Sequence, residues 1–251
     1  MQIITINSFK GGTAKTSSTL HIGAALAKFH QKKVLLIDFD AQANLTTGLG
    51  FDPDENDSLA PVLQNEKTID QVIRTTTVPN LFLIPADTWL ERVEVTGMLA
   101  TDRYSHEKLR ILLSPLQYDF VFIDTPPSLC WLTESALIAA NQALICATPE
   151  FYSVKGLERL GQFIETIGKR HSLQILGVLL SFWNPRGKSN QAFIDLIERT
   201  FPKKIFQNKI RRDIAISEAS VYGKPVFDTT NSRAGEDYVA LTSELLGRVT
   251  P

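Results

Sequence analysis

Short, predominantly apolar runs alternate along the chain with stretches in which apolar positions recur every three or four residues. Residues 3–6, 34–37, 81–84, 120–123, 143–147 and 175–180 are the runs, and they read as strands. None of them alternates apolar with polar, so each strand is expected to be covered on both faces, as in a parallel sheet with helices on either side. Residues 15–29, with Leu20, Ala24 and Ala27 on one stripe, read as a helix, and so do 108–116, 154–167, 190–200 and 234–246. The alternation predicts a single domain over residues 1–251, an α/β fold with a doubly wound, mainly parallel sheet flanked by helices. Ligands of such sheets bind at the carboxyl ends of the strands. Residues 50–77 are polar and weakly patterned and read as an insertion within that domain.

Composition narrows the function classes. Apolar residues make up 43% of the 251 positions, charged residues 21%, and the formal net charge is −1. No overall field demands nucleic acid, so DNA contact needs a local basic patch. Lys203, Lys204, Lys209, Arg211 and Arg212 form such a cluster in sequence; an ordinary solvated basic face is the other reading of the same residues. The two cysteines, Cys130 and Cys146, have no paired spacing, which fits a reducing compartment. The amino terminus lacks the pattern of a secretory leader. The longest apolar candidate, 136–147, is interrupted by Asn141 and Gln142, so no membrane span is expected. Together these predict a cytoplasmic protein. The four histidines show no metal-ligand spacing.

The chemistry begins where the first run ends. Lys10-Gly11-Gly12-Thr13-Ala14-Lys15-Thr16-Ser17 lies between a strand and a helix. Two glycines allow a tight turn that points successive N–H groups into one concavity, and the helix aims its positive end at the same place. Lys15 can reach β- and γ-phosphates, and the Thr16 hydroxyl can ligate Mg²⁺. The common pattern G-x-x-x-x-G-K-[ST] is not met: Phe9 and Ala14 stand at its glycine positions, and an additional lysine, Lys10, precedes Lys15.

Two acidic loops follow other runs. Asp38 and Asp40, one residue apart, point the same way while the chain is extended; on the residues alone they are either a metal- and water-facing pair or two solvated strand ends. Asp124 closes the run 120–123 and is followed by Thr125-Pro126-Pro127. An aspartate in that place is the usual second anchor of Mg²⁺ in phosphate-loop proteins.

These motifs, K-G-G-T-A-K-T, D-x-D-x-Q-x-N from Asp38 to Asn44, and D-T-P-P from Asp124, resemble the ParA/Soj/MinD family of P-loop ATPases with a deviant phosphate loop. The likeness extends to Pro149-Glu150-Phe151 with Gly156-Leu157, and to Ile210-Arg211-Arg212-Asp213 with Ser217-Glu218-Ala219 and Gly223-Lys224-Pro225. It is nearest to the small partition ATPases without an amino-terminal DNA-binding domain, and none is expected here because the phosphate loop starts at residue 10. The resemblance implies ATP/ADP and Mg²⁺ as cofactors, with Thr16, Asp38 and Asp124 toward the metal and Asp40 positioning the hydrolytic water. It implies that Lys10 reaches across an ATP-bound homodimer into the partner's site. It further implies non-specific binding of double-stranded DNA on the bacterial nucleoid, slow hydrolysis, and a ParB-like stimulating protein. Ser181, Phe182 and the backbone near Ile210 are implied to face adenine. Arg211 and Ala215 depart from the family's usual proline and arginine.

Three rivals share part of this pattern. A MinD-like membrane ATPase acting in division-site placement needs a basic amphipathic tail, whereas residues 238–249 offer only Arg248. An iron–sulfur protein with the same loop needs two cysteines at a dimer face, and Cys146 falls inside a strand. A scaffold that binds ATP without hydrolysis would have no need of Asp40.

Overall fold

The computed structural model describes residues 1–54, 58–95, 104–149, 154–228 and 232–249. Its strands are β1 (Gln2–Asn7), β2 (Val34–Asp38), β3 (Arg74–Thr75), β4 (Leu81–Ile84), β5 (Phe120–Asp124), β6 (Gln142–Ala147) and β7 (Gln174–Leu180). They form one sheet in the order β3-β4-β2-β5-β1-β6-β7. All neighbours are parallel except the two-residue edge strand β3 against β4. All six predicted strands are present. The chain winds outward from β1 in both directions, so the strand order reverses beside it, and the carboxyl ends of β1, β5 and β2 bound a crevice there.

The absence of polar alternation has the expected cause. Ile3, Leu35, Ile37, Val121, Ile123, Ala143 and Ile145 face one layer and Ile4, Ile6, Leu36, Phe120, Phe122, Leu144 and Cys146 the other, with every one of them buried. On the second face lie α1 (Lys15–His30), α2 (Asn44–Gly48), α9 (Ala215–Val221) and α10 (Arg233–Val249). On the first lie α3 (Leu59–Leu63), α5 (Lys108–Leu113), α6 (Trp131–Ala139), α7 (Val154–Gly168) and α8 (Asn190–Thr200), with α4 (Trp89–Val95) joining it through Leu90.

The described residues within 50–77 are more ordered than their composition suggests. They supply α3, a 3₁₀ turn (Ile69–Gln71) and β3, and Leu59, Val62, Leu63, Ile69 and Val72 join the core. At the amino end of this stretch Gly50 (φ 81°) meets Gly223 (φ 62°) just beyond α9. A Cβ on Gly223 would stand 2.7 Å from the Gly50 Cα, so the backbones approach too closely for a side chain at Gly223, while at Gly50 the left-handed φ alone favours glycine.

The tail helix α10 buries Ala234, Tyr238, Leu241, Leu245 and Val249 in the second layer against α1. Its apolar face is therefore used inside the molecule. Among the described residues no helix is long and apolar enough to cross a membrane.

Candidate functional site

The phosphate loop follows β1 directly. Gly12 has φ 72° and Ala14 φ 61°, so the chain passes twice through left-handed geometry before α1 begins at Lys15. Glycine adopts that geometry freely, whereas an alanine in it carries strain of about 1 kcal/mol. Ala14 thus holds the conformation that the common pattern assigns to glycine. The Ser8 hydroxyl donates to the Lys10 carbonyl at 2.7 Å, which pins the loop's entrance. The first helical bond is donated by the Ser18 N–H to the Ala14 carbonyl, at 2.8 Å. The amides ahead of it have no carbonyl within the helix to bond and mark a place for an anion. Lys15 is only 7% exposed, while Lys10 is exposed at the loop's rim.

Phe9, at the other departed glycine position, packs its ring over Gly156 near the start of α7. A Cβ on Gly156 would lie 2.1 Å from the ring, so the helix sits against the loop only because that position carries no side chain. Of the Pro149-Glu150-Phe151 motif, Glu150 and Phe151 lie outside the described residues.

Asp38 and Asp124 are register partners on β2 and β5, both wholly buried. Adjacent strands set them about 5 Å apart at the backbone. Burial, then the neighbouring Asp124 charge, pushes the Asp38 carboxyl up to about 7. Burial pushes Asp124 up to about 6, opposed by Thr16 and Lys15 and reinforced by Asp40. Asp124 Oδ1 accepts from the Thr19 hydroxyl at 3.2 Å, while Oδ2 is buried with no hydrogen-bond partner among the described residues. A buried carboxylate oxygen without a donor, beside a second buried carboxylate and the Thr16 hydroxyl, fits a divalent cation. Among the described residues no three His, Cys, Asp or Glu side chains cluster as a metal cage.

The Asp38 carboxylate is held from both sides. Its Oδ2 accepts from the Thr46 N–H and hydroxyl, each at 2.8 Å, and its Oδ1 from the Asp40 N–H at 3.3 Å. Asp40, half-buried, accepts the Gln42 N–H at 3.1 Å and leads into Ala43, a third left-handed residue (φ 51°). Thr46 and Thr19 were not legible in sequence: a threonine within a helix carries no signal of its own, and the roles of these two rest on contacts with strand-end aspartates distant in sequence.

Ser181 follows β7 with its hydroxyl buried and unpartnered among the described residues, and Phe182 beside it is exposed at φ 53°. The Trp183 N–H donates to the Ile210 carbonyl at 2.9 Å, so the two implied adenine-facing segments are neighbours.

The basic cluster is drawn out rather than gathered. Lys203 and Lys204 line a cavity of about 390 Å³ beside Gln142 and Gln174, the amino ends of β6 and β7. The chain then runs alongside β7, bringing Lys209 within 5.1 Å of the Trp183 ring and Arg212 within 5.9 Å of the Phe182 ring at the carboxyl end. Arg211 is bound to α10: its Nη2 donates to Asp237 Oδ1 at 2.7 Å and its backbone N–H to Oδ2 at 2.9 Å. Cys146 lies inside β6 at 0% exposure, away from any surface where two chains could share a cluster.

With this geometry in view, the likeness to known proteins is specific. The AAA domain family matches residues 1–175. A ParA family protein of Chlamydia trachomatis is 70% identical over 249 residues, 98% of either chain. The chromosome partitioning protein ParA of Myxococcus xanthus is 33% identical over 257 residues, covering 100% of this chain and 89% of that one. Among solved structures, the septum site-determining protein MinD of Pyrococcus horikoshii, complexed with Mg-ADP, is similar with a TM-score of 0.80 at 27% identity, covering 97% of this chain and 95% of that one. From its first strand to its last helix, this chain belongs to the ParA/Soj/MinD family of P-loop ATPases.

Proposed function

We propose that this chain is a partition ATPase: a switch that binds ATP or ADP with Mg²⁺, hydrolyses ATP slowly, and acts in the segregation of a chromosome or plasmid. The observation that carries the reading is the buried pair Asp38 and Asp124, one oxygen of it unpartnered among the described residues, facing the start of α1 beside Lys15. The Mg-ADP in the MinD relative and the partitioning role in the name of the Myxococcus relative support it.

The chain's residues then take these roles. The amides of residues 11–17 and the Lys15 ammonium hold the triphosphate, including Gly11, Gly12, Thr13, Ala14, Thr16 and Ser17. The Thr16 hydroxyl and the carboxylates of Asp38 and Asp124 face the metal. When bound, Mg²⁺ supplies charge neutralisation on the phosphates. Asp40 orients the attacking water. Lys10 completes the site of a second copy, so that ATP binding and dimerisation are linked. Ser181 and the backbone of Ile210 face the base. The dimer binds double-stranded DNA through phosphates, which gives affinity without sequence reading. A ParB-like partner accelerates hydrolysis on the nucleoid in the cytoplasm.

The test is phosphate release together with co-sedimentation on non-specific duplex DNA and on anionic liposomes, with ATP, ADP and no nucleotide, and with Lys10→Ala as control. Phosphate release and ATP-dependent DNA binding, both lost in Lys10→Ala, are the expected results. Liposome binding in place of DNA binding would move the chain to the membrane class of its family, although the burial of the α10 apolar face speaks against that outcome. Binding to neither would leave the partition reading without its track.

A further inference from the structure

One side chain in the acidic loop is used more fully than its neighbours. Thr46, at 0% exposure in α2, donates its hydroxyl to Asp38 Oδ2 at 2.8 Å, and its backbone N–H donates to the same oxygen at 2.8 Å. The same hydroxyl accepts the Ala86 N–H at 3.0 Å, from the turn after β4. A hydroxyl has one proton and two lone pairs, so the donor and one acceptor site are spent on fixed partners. The turn it holds is braced in its own right: the Pro85 carbonyl accepts the Leu59 N–H, and Asp87 accepts the Ser58 hydroxyl at 2.6 Å. The other Asp38 oxygen accepts the Asp40 N–H. A continuous path of bonds therefore runs from the β4 turn through Thr46 and Asp38 to the backbone of Asp40.

We propose that Thr46 is a positioning residue: its hydroxyl clamps the end of β2 to the β4 turn and thereby fixes the loop that carries Asp40 over the reacting phosphate. This rests on the reading of Asp40 as the residue that orients water. Valine at this position has nearly the same shape but can neither donate to Asp38 nor accept from Ala86, leaving a buried N–H unsatisfied. Serine retains both functions. The groups that grip phosphate, the loop amides and Lys15, lie on β1 and α1 and are not part of the path, and in the valine chain Asp38 keeps the backbone N–H of residue 46 as a donor and stays toward the metal, so the loss should fall on turnover and spare nucleotide affinity.

The experiment compares the full chain with Thr46→Val, Thr46→Ala and Thr46→Ser. It measures phosphate release at saturating ATP, affinity for a fluorescent ATP analogue, and hydrogen exchange of residues 39–48 and of the Ala86 amide. The expected result for Thr46→Val is kcat lowered about tenfold or more, affinity within threefold of the parent, and faster exchange in the loop and at Ala86, with Thr46→Ser restoring all three. Thr46→Ala carries the comparison if the valine chain does not fold. Unchanged kcat and exchange, affinity falling in step with kcat, or a serine chain as impaired as the valine chain would each overturn the proposal. If the parent chain releases no phosphate, the ATPase reading falls on that fact alone, and the exchange data still decide whether Thr46 is the clamp.

Discussion

At the scale of single residues, the interior behind the phosphate loop holds a histidine packed among aromatic rings. His21, in α1, is completely buried with both ring nitrogens unpartnered among the described residues, packed 4.9 Å from the ring of Tyr238 and 5.9 Å from that of Phe227. Burial lowers its pKa to about 3, against 6.5 in an unfolded chain. Between those values the unfolded state binds the proton and the folded state refuses it, so stability is lost as pH falls below about 6.5. At pH 4.5 the loss is about 3 kcal/mol relative to neutral pH. Replacing His21 by leucine should remove that loss and flatten denaturant-derived stability between pH 7.5 and pH 4.5; an unaltered slope would show that other groups dominate the acid limb. The turn between β1 and α1 was legible in sequence because two glycines stand there between an apolar run and a helical stripe. His21 was not, since only its burial gives it consequence.

At the scale of elements, strands were legible and short helices were not. A parallel strand covered on both faces prints an apolar run without polar alternation, which is why all six appeared. Helices α2, α3 and α9, of five to seven residues, are too short to show a period. Helix α6 buries Leu132, Thr133 and the run 135–139 and so lacks the polar face by which helices are recognised. The contact between α7 and the phosphate loop is a matter for this scale. Gly156→Ala should drive the Phe9 ring off the helix and weaken binding of a fluorescent ATP analogue by about tenfold, whereas in a Phe9→Ala background the same change should add little. Equal effects in both backgrounds would mean that the ring does not transmit the disturbance. The basic stretch divides in the same way. Arg212→Ala and Lys203→Ala should each reduce the salt slope of DNA binding by about one. Arg211→Ala should instead lower the melting temperature, because its partner is Asp237 on α10. A larger salt-slope change for Arg211 than for Arg212 would reverse that division.

At the scale of the whole molecule, the site lies where the two directions of winding meet, between layers that share only the sheet. Ligand binding there stabilises the sheet's centre and both layers together. At a Mg-ATP concentration one hundred times the dissociation constant, linkage predicts about 2.7 kcal/mol of added stability. For a chain of this length that is a rise of about 5–10 °C in melting temperature. The buried carboxylates predict that removing the divalent ion with EDTA abolishes most of the rise even with ATP present, since Asp38 and Asp124 would again face each other without a cation. A shift that survives EDTA would place the metal outside the binding energy. The doubly wound architecture and the sheet's central strands were legible from pattern alone. The bracing of the β4 turn by residues 58–87 was not, because it is made of single polar contacts distant in sequence.

The meeting of Gly50 with Gly223 has a further meaning in the language of genetics. Most harmful substitutions in a packed protein can be rescued by a second change that makes room. Here a side chain at Gly223 would meet a peptide backbone, which no substitution can shrink, and both positions have backbone angles that side chains resist. A collection of random variants should therefore contain damaging alleles at both positions and no intragenic suppressor that pairs them. The join between the acidic loop and the carboxyl-terminal third of the chain would be inherited as a fixed point around which the rest of the sequence is free to drift.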